Sequence, residues 1–123
     1  MQKIHTNSAP EAIGPYSQAV VTGNLVFTSG QIAINPETGL VEATTIEEQT
    51  EQVCKNLSEV LKQAGSSPQK AVKTVCFLSD MDNFAAFNEV YGKYFTEKPA
   101  RSCVAVKTLP KNVLVEVDVI AEI

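Results

Sequence analysis

The chain has 123 residues, 44% of them hydrophobic and 20% charged, which is ordinary globular composition on the scale of one domain spanning 1–123. A net charge of −4 with scattered lysines argues against nucleic acid as a main partner, because phosphate backbones require a clustered basic patch. No segment approaches the ~18 apolar residues of a membrane span, and the start Met1-Gln2-Lys3-Ile4-His5-Thr6 lacks the apolar run of a secretory signal, so a cytoplasmic protein without a membrane partner is expected.

In chain order, Val20-Val21-Thr22-Gly23-Asn24-Leu25-Val26-Phe27 places Gly-Asn between β-branched and aromatic runs. That predicts a two-residue hairpin, with both turn positions at positive φ, joining strands over about 17–22 and 25–32. Asn35-Pro36-Glu37-Thr38-Gly39 follows as a turn. Thr45-Ile46-Glu47-Glu48 has the form of a capping box, in which Thr45 accepts from the Glu48 amide and Glu48 reaches back. The helix it starts carries one apolar stripe, Ile46, Val53, Leu57, Val60, Leu61 and Ala64, and Gly65 supplies a left-handed stop.

After Ser66-Ser67-Pro68, residues 72–78 predict a buried strand, and Asp82 a cap for a second helix through Phe95. Asn88 lies four residues after Phe84 and three before Tyr91, on or beside the apolar face of that helix. A buried amide there needs partners, either a neighbouring loop or a ligand. Strands over 102–106 and 113–120 follow, joined by a predicted hairpin at Thr108-Leu109-Pro110-Lys111-Asn112. The sum is an α+β arrangement, two helices on one face of a largely antiparallel sheet. The other sheet face is itself quite apolar, which oligomerisation would cover.

Four places carry unusual residues at element ends. Gly14-Pro15 is a rigid bend presenting Tyr16, and Ser29-Gly30 interrupts an apolar strand, as happens at a bulge or where backbone must approach a ligand closely. The third is Asn88. The fourth joins Arg101, the one arginine beside nine lysines, to Glu116, a lone carboxylate within Val113-Leu114-Val115-Glu116-Val117. A guanidinium is a rigid fork that matches a carboxylate two bonds at a time, so Arg101 is either a carboxylate clamp or half of a surface ion pair. A carboxylate in apolar surroundings tends to a raised pKa and can hold or deprotonate a water, while an outward-facing strand glutamate is the plain alternative.

Cys54, Cys76 and Cys103 are odd in number and far apart, which suits a reducing compartment better than a disulfide framework. With only His5 besides, they make a poor metal site, and Cys54 and Cys76 are expected to pack as small apolar side chains. Metal, phosphate-loop and dinucleotide signatures are absent, so no cofactor is expected.

The segments Ala-Ile-Gly-Pro-Tyr-Ser-Gln-Ala at 12–19, Phe-Thr-Ser-Gly-Gln-Ile at 27–32, Pro-Ala-Arg-Ser-Cys-Val at 99–104 and Leu-Val-Glu-Val at 114–117 resemble, in combination and order, the RidA family, also called the YjgF family. The resemblance implies a chorismate-mutase-like α+β fold assembled as a homotrimer, with an active site in each cleft between subunits. It implies hydrolysis of reactive enamines and imines, such as 2-aminoacrylate, 2-iminopropanoate and 2-iminobutanoate, to 2-keto acids and ammonia. The family's substrate-carboxylate arginine falls on Arg101, its water-directing glutamate on Glu116, and its pocket residues on Tyr16, Ser29, Gly30, Asn88 and Cys103. Lys98 stands where an aromatic often precedes the Pro-Ala-Arg run, and Ala105 where an acidic residue is common. Two other readings are a keto-acid-binding regulatory trimer, and the ribonuclease or translation inhibition also attributed to the family.

Overall fold

The computed structural model describes all 123 residues. Six strands, β1 (Gln2–Ile4), β2 (Ala19–Thr22), β3 (Leu25–Thr28), β4 (Ala71–Leu78), β5 (Ala100–Ala105) and β6 (Val115–Glu122), form one sheet in the order β1-β2-β3-β6-β4-β5. All neighbours are antiparallel except β4 and β5. Two helices, α1 (Ile46–Gln63) and α2 (Phe84–Tyr94), cover one face. This is the expected α+β arrangement.

Period-two alternation decides which side chains meet the helices. Thr74, Cys76 and Leu78 of β4, and Val115, Val117, Val119 and Ala121 of β6, are buried beneath them. The intervening Val75 and Phe77, and Glu116, Asp118 and Ile120, point to the opposite, uncovered face and are half-buried. From α1, Val53, Leu57, Val60 and Leu61 reach the core with no exposed surface. Burying a side chain of this size stabilises the fold by roughly 1.5–3 kcal/mol.

The helix ends follow their sequence signals closely. Thr45 Oγ1 accepts from the Glu48 amide at 3.2 Å. The Glu48 carboxylate, however, accepts a hydrogen bond from the Thr45 hydroxyl at 2.9 Å rather than from a backbone N–H. At the other end Gly65 adopts φ +85°, Ser66 N donates to Leu61 O at 2.8 Å and Gly65 N to Lys62 O at 3.0 Å, the paired bonds of a Schellman stop.

Several sequence expectations are corrected. In the β2–β3 turn only Gly23 has positive φ, +59°, and Asn24 does not, so the turn matches the type with glycine at its first central position. Strand β3 ends at Thr28 rather than 32. Asp80, not Asp82, provides the cap ahead of α2: its carboxylate accepts from Asp82 N at 2.8 Å and starts a short 3-10 turn over Met81–Asn83. The β5–β6 hairpin does not form. The chain crosses from β4 through α2 to a parallel β5 at the sheet edge, and β6 then inserts between β3 and β4. The Pro110–Asn112 segment that mimics a hairpin turn is a 3-10 turn with Lys111 and Asn112 at φ +57° and +54°.

Buried amides of α1 do more than fill space. Asn56 Nδ2 donates to Ile32 O at 3.1 Å and to Ile34 O at 2.9 Å. Gln49 donates to Ala43 O at 3.0 Å and accepts from Leu114 N at 2.8 Å. These bonds pin to the helix the long connection that carries Ser29 and Gly30, and the start of the strand that carries Glu116. No buried side-chain polar atom lacks a partner.

Candidate functional site

The residues singled out from sequence separate into two groups on opposite faces of the sheet. The first lines a cavity of about 630 Å³ between the N-terminal connection, the segment after β3 and the uncovered face of β6; it includes Tyr16, Ser29, Gly30, Glu116 and Asp118.

A local break in the sheet builds this cavity. Phe27 pairs with Ile120, but the next bond to β6 comes from a side chain, with Thr28 Oγ1 accepting from Val119 N at 3.0 Å. Gln31 then resumes the ladder, donating to Val117 O at 2.9 Å and accepting from Val117 N at 3.2 Å. Ser29 and Gly30 are looped out between these points. Ser29 is held by its own bonds, hydroxyl to Ser17 O at 2.6 Å and amide to Gln18 O at 2.9 Å.

Gly30 is where the glutamate passes. A Cβ at this position would stand 2.6 Å from Glu116 Oε2 and 2.9 Å from its Cδ. The glycine, just beyond the end of β3, therefore admits this chain's own carboxylate against the backbone.

Tyr16 sits at the cavity rim with half its surface exposed. Its amide donates to Gly14 O at 2.9 Å around Pro15, whose fixed φ suits the centre of so tight a turn, while Gly14 takes φ +133°. Gln18, only 1% exposed, anchors the whole segment. It accepts from Thr6 N at 2.8 Å and donates to Thr6 O at 3.1 Å and Pro10 O at 2.7 Å. Gln18 and Asn56 escaped the sequence reading as site-shaping residues. A buried glutamine's partners are set by chain reversals that periodicity does not reveal.

Desolvation raises the Glu116 carboxyl above its ordinary pKa, and the neighbouring Asp118 raises it further; desolvation raises Asp118 as well. The folded protein thus binds these protons more tightly than the unfolded chain does. The stability they contribute is complete below the unfolded carboxylate pKa and is lost as pH rises through the folded values. Asp118→Asn is accordingly expected to raise the melting temperature at neutral pH, the gain vanishing on acidification to about pH 4. Thermal unfolding across a pH series measures this, and a gain independent of pH would show that desolvation of the charge is not its source.

The second group lies on the helix-covered face, at the β5 edge. Arg101 is paired in register with Thr74, whose side chain is buried beneath the helices. Its guanidinium carbon is 5.3 Å from the centre of the Phe84 ring and 5.0 Å from that of Tyr91. Nη1 donates to Asn88 Oδ1 at 2.7 Å, so the amide flagged on the α2 apolar face serves this arginine. No carboxylate pairs with it; the one contact between a basic and an acidic side chain is the surface pair His5 Nε2 and Glu11 Oε1, at 3.1 Å. A shallow cavity of about 390 Å³ opens beside Arg101 and Asn88.

Cys103 follows on the same face of β5, half-buried against the core. Burial pushes its thiol pKa up, against the opposing pull of Arg101. Burial also pushes Cys76 to about 12 and raises Cys54, so the two pack as neutral apolar groups, as expected. With the thiols protonated and His5 engaged with Glu11, nothing here forms a cysteine–histidine nucleophile.

Within one chain Arg101 and Glu116 do not meet. Glu116 is paired with Phe77 on the uncovered face, Arg101 with Thr74 on the covered face, and β4 runs between their strands. No helix is long and apolar enough to cross a membrane.

The architecture is that of a small two-helix, one-sheet α+β protein, and comparison with known proteins places it more closely. The family model described as Endoribonuclease L-PSP matches residues 6–123. Chloroplastic Reactive Intermediate Deaminase A of Arabidopsis thaliana is 46% identical over 119 residues, covering 96% of this chain and 64% of that protein. A crystal structure from Thermotoga maritima superposes with a TM-score of 0.97 at 51% identity, covering 100% of this chain and 98% of that one. Escherichia coli TdcF with bound serine gives a TM-score of 0.95 at 40% identity, covering 100% of this chain and 99% of that one. The chain belongs to the Endoribonuclease L-PSP family, which is the YjgF/RidA family its motifs resemble.

Proposed function

We propose that the protein hydrolyses reactive 2-enamino and 2-imino acids, including 2-aminoacrylate, 2-iminopropanoate and 2-iminobutanoate, to 2-keto acids and ammonia without a cofactor. The observation that carries this reading is a half-buried guanidinium with no acidic partner, in a chain whose Glu116 carboxylate is desolvated against a glycine. A relative named for reactive-intermediate deamination and another with an amino acid bound support it.

In this reading the working site forms between copies of the chain, in a homotrimer whose uncovered sheet faces, with Phe27, Val75, Phe77 and Ile120, are buried together. Arg101 of one copy grips the substrate carboxylate with two charged hydrogen bonds, and Glu116 of a neighbouring copy faces C2. Tyr16, Ser29 and Gly30 border the glutamate side; Asn88 and Cys103 border the arginine side. Glu116 takes a proton from water as the oxygen attacks C2 of the protonated imine, giving a carbinolamine. It returns that proton to nitrogen and, as the C–N bond breaks, takes the hydroxyl proton of the carbinolamine, so that the 2-keto acid is released and the proton leaves with ammonia as ammonium. A carboxyl with a raised pKa suits both halves of this exchange at neutral pH.

Coupling a serine or threonine dehydratase to the protein and following keto-acid release tests the proposal. Acceleration over spontaneous hydrolysis is expected, and Glu116→Gln should reduce it about 10²–10⁴-fold while pyruvate affinity is retained. No acceleration by the wild-type protein would sink the deaminase reading. Retained binding without wild-type turnover would favour a keto-acid-binding regulator instead. The endoribonuclease in the family's description requires a basic surface, which a net charge of −4 does not favour.

A further inference from the structure

We propose that Phe84 and Tyr91 are positioning residues for substrate recognition: together they form an aromatic seat that orients the Arg101 guanidinium and leaves its charge free for an incoming carboxylate. This rests on the reading of Arg101 as the substrate clamp. Nothing in that reading explains how a lone arginine is held in place when no acidic group pairs with it.

An exposed or half-buried arginine normally settles against a carboxylate, which fixes it but occupies its fork. Arg101 is fixed differently. Phe84, Asn88 and Tyr91 fall at i, i+4 and i+7 on α2, so they form one line down the helix face that overhangs β5. The arginine lies against that line, its guanidinium carbon 5.3 Å and 5.0 Å from the two ring centres. A ring quadrupole attracts a cation without neutralising it.

Asn88 Oδ1 takes one N–H, at 2.7 Å. A guanidinium has five, so the edge away from Asn88 keeps the donors a planar carboxylate needs. The seat is itself braced. The Tyr91 hydroxyl shares a 2.7 Å hydrogen bond with the buried Thr74 hydroxyl, and Thr74 is the residue paired in register with Arg101. The Tyr91 ring also stacks on Phe95 with centres 4.7 Å apart, which limits its freedom to turn. Orientation is what a bidentate contact requires, because an arginine free to swing pays for that freedom at each binding event.

The same arrangement selects its occupant. A fork favours an oxyanion that presents two oxygens side by side, whereas a lysine at 101 would keep the ring attraction but present a single point of charge.

A double-mutant cycle on pyruvate affinity, measured by calorimetry, tests the seat. Phe84→Leu should weaken pyruvate binding roughly 3- to 30-fold, and Phe84→Tyr should restore it. In an Arg101→Ala background, Phe84→Leu should have no further effect. Tyr91→Phe, which keeps the ring and loses only the bond to Thr74, should fall between wild type and Phe84→Leu, and melting curves of every variant establish that it folds. Equal weakening by Phe84→Leu with and without Arg101, or no weakening at all, would overturn the seat. The deaminase reading is judged separately by wild-type turnover. Turnover with pyruvate affinity unmoved by Phe84→Leu removes the seat and keeps that reading; the expected cycle without turnover does the reverse.

Discussion

Arg101→Ala is expected to lower kcat/KM for imine hydrolysis by about 10²–10⁴-fold, and Arg101→Lys by about 10–10²-fold, the magnitudes of two and of one lost charged hydrogen bond at ~1.5–3 kcal/mol each. The difference between the variants is the informative part. Lysine conserves the charge, so a purely electrostatic role would leave Arg101→Lys close to wild type, whereas a clamp that sets the angle of the carboxylate loses one of its two contacts.

Stability should move little in either variant, because the guanidinium is not paired with a carboxylate whose charge would be orphaned by its removal. Steady-state assays with imine generated in place, alongside thermal melts, separate these effects. Wild-type activity in Arg101→Lys would remove the clamp from the mechanism. Loss of activity in parallel with a large fall in melting temperature would assign the arginine to packing against Phe84 and Tyr91 instead.

The second large effect is expected at a residue with no side chain. Gly30→Ala should reproduce Glu116→Gln, with turnover down about 10²–10⁴-fold, while the protein remains folded. The added methyl would stand 2.6 Å from Glu116 Oε2, 2.9 Å from Cδ and 3.1 Å from Cγ. One of the two must move. The carboxylate is the free end of a flexible side chain facing an open cavity, so it can rotate away at small cost to folding, and the damage falls on its placement.

Activity and melting temperature should therefore separate in Gly30→Ala: the first collapses and the second shifts by a few degrees at most. Pyruvate affinity, which depends on Arg101 in the proposed mechanism, should be retained. Full activity in Gly30→Ala would mean that the position of Glu116 over the glycine is not the one used in turnover.

Local signals in the sequence located both helices and the β2–β3 hairpin but missed β1 and failed at the connection between β5 and β6. The α1 boundaries are legible because a capping box and a left-handed glycine are chemical statements about single residues. The alternation that buries Val115, Val117 and Val119 likewise places Glu116 on the opposite face. Strand order is a different kind of fact. A Pro-Lys-Asn segment between two apolar runs looks like a hairpin, and only the crossover through α2, which places β5 parallel to β4, reveals that the runs are not neighbours.

The candidate site shows the same division. The Phe84, Asn88, Tyr91 spacing is visible as a helical line, yet that Arg101 lies across it depends on the register of β5 with β4. The separation of Arg101 from Glu116 by a strand and by a sheet face follows from topology, which periodicity cannot supply. Gln18 and Asn56 were missed for a related reason, since their partners are carbonyls of loops distant in sequence.

That separation has a genetic corollary. If each working site draws its arginine from one chain and its glutamate from the next, every chain belongs to two sites, and lesions no longer map one to one onto sites. A chain carrying both lesions disables both of the sites it serves. Two neighbouring chains carrying one lesion each can share the damage within a single site and leave the others whole. Alleles that are each null would then complement in mixed assemblies, and a doubly altered allele would poison its wild-type partners.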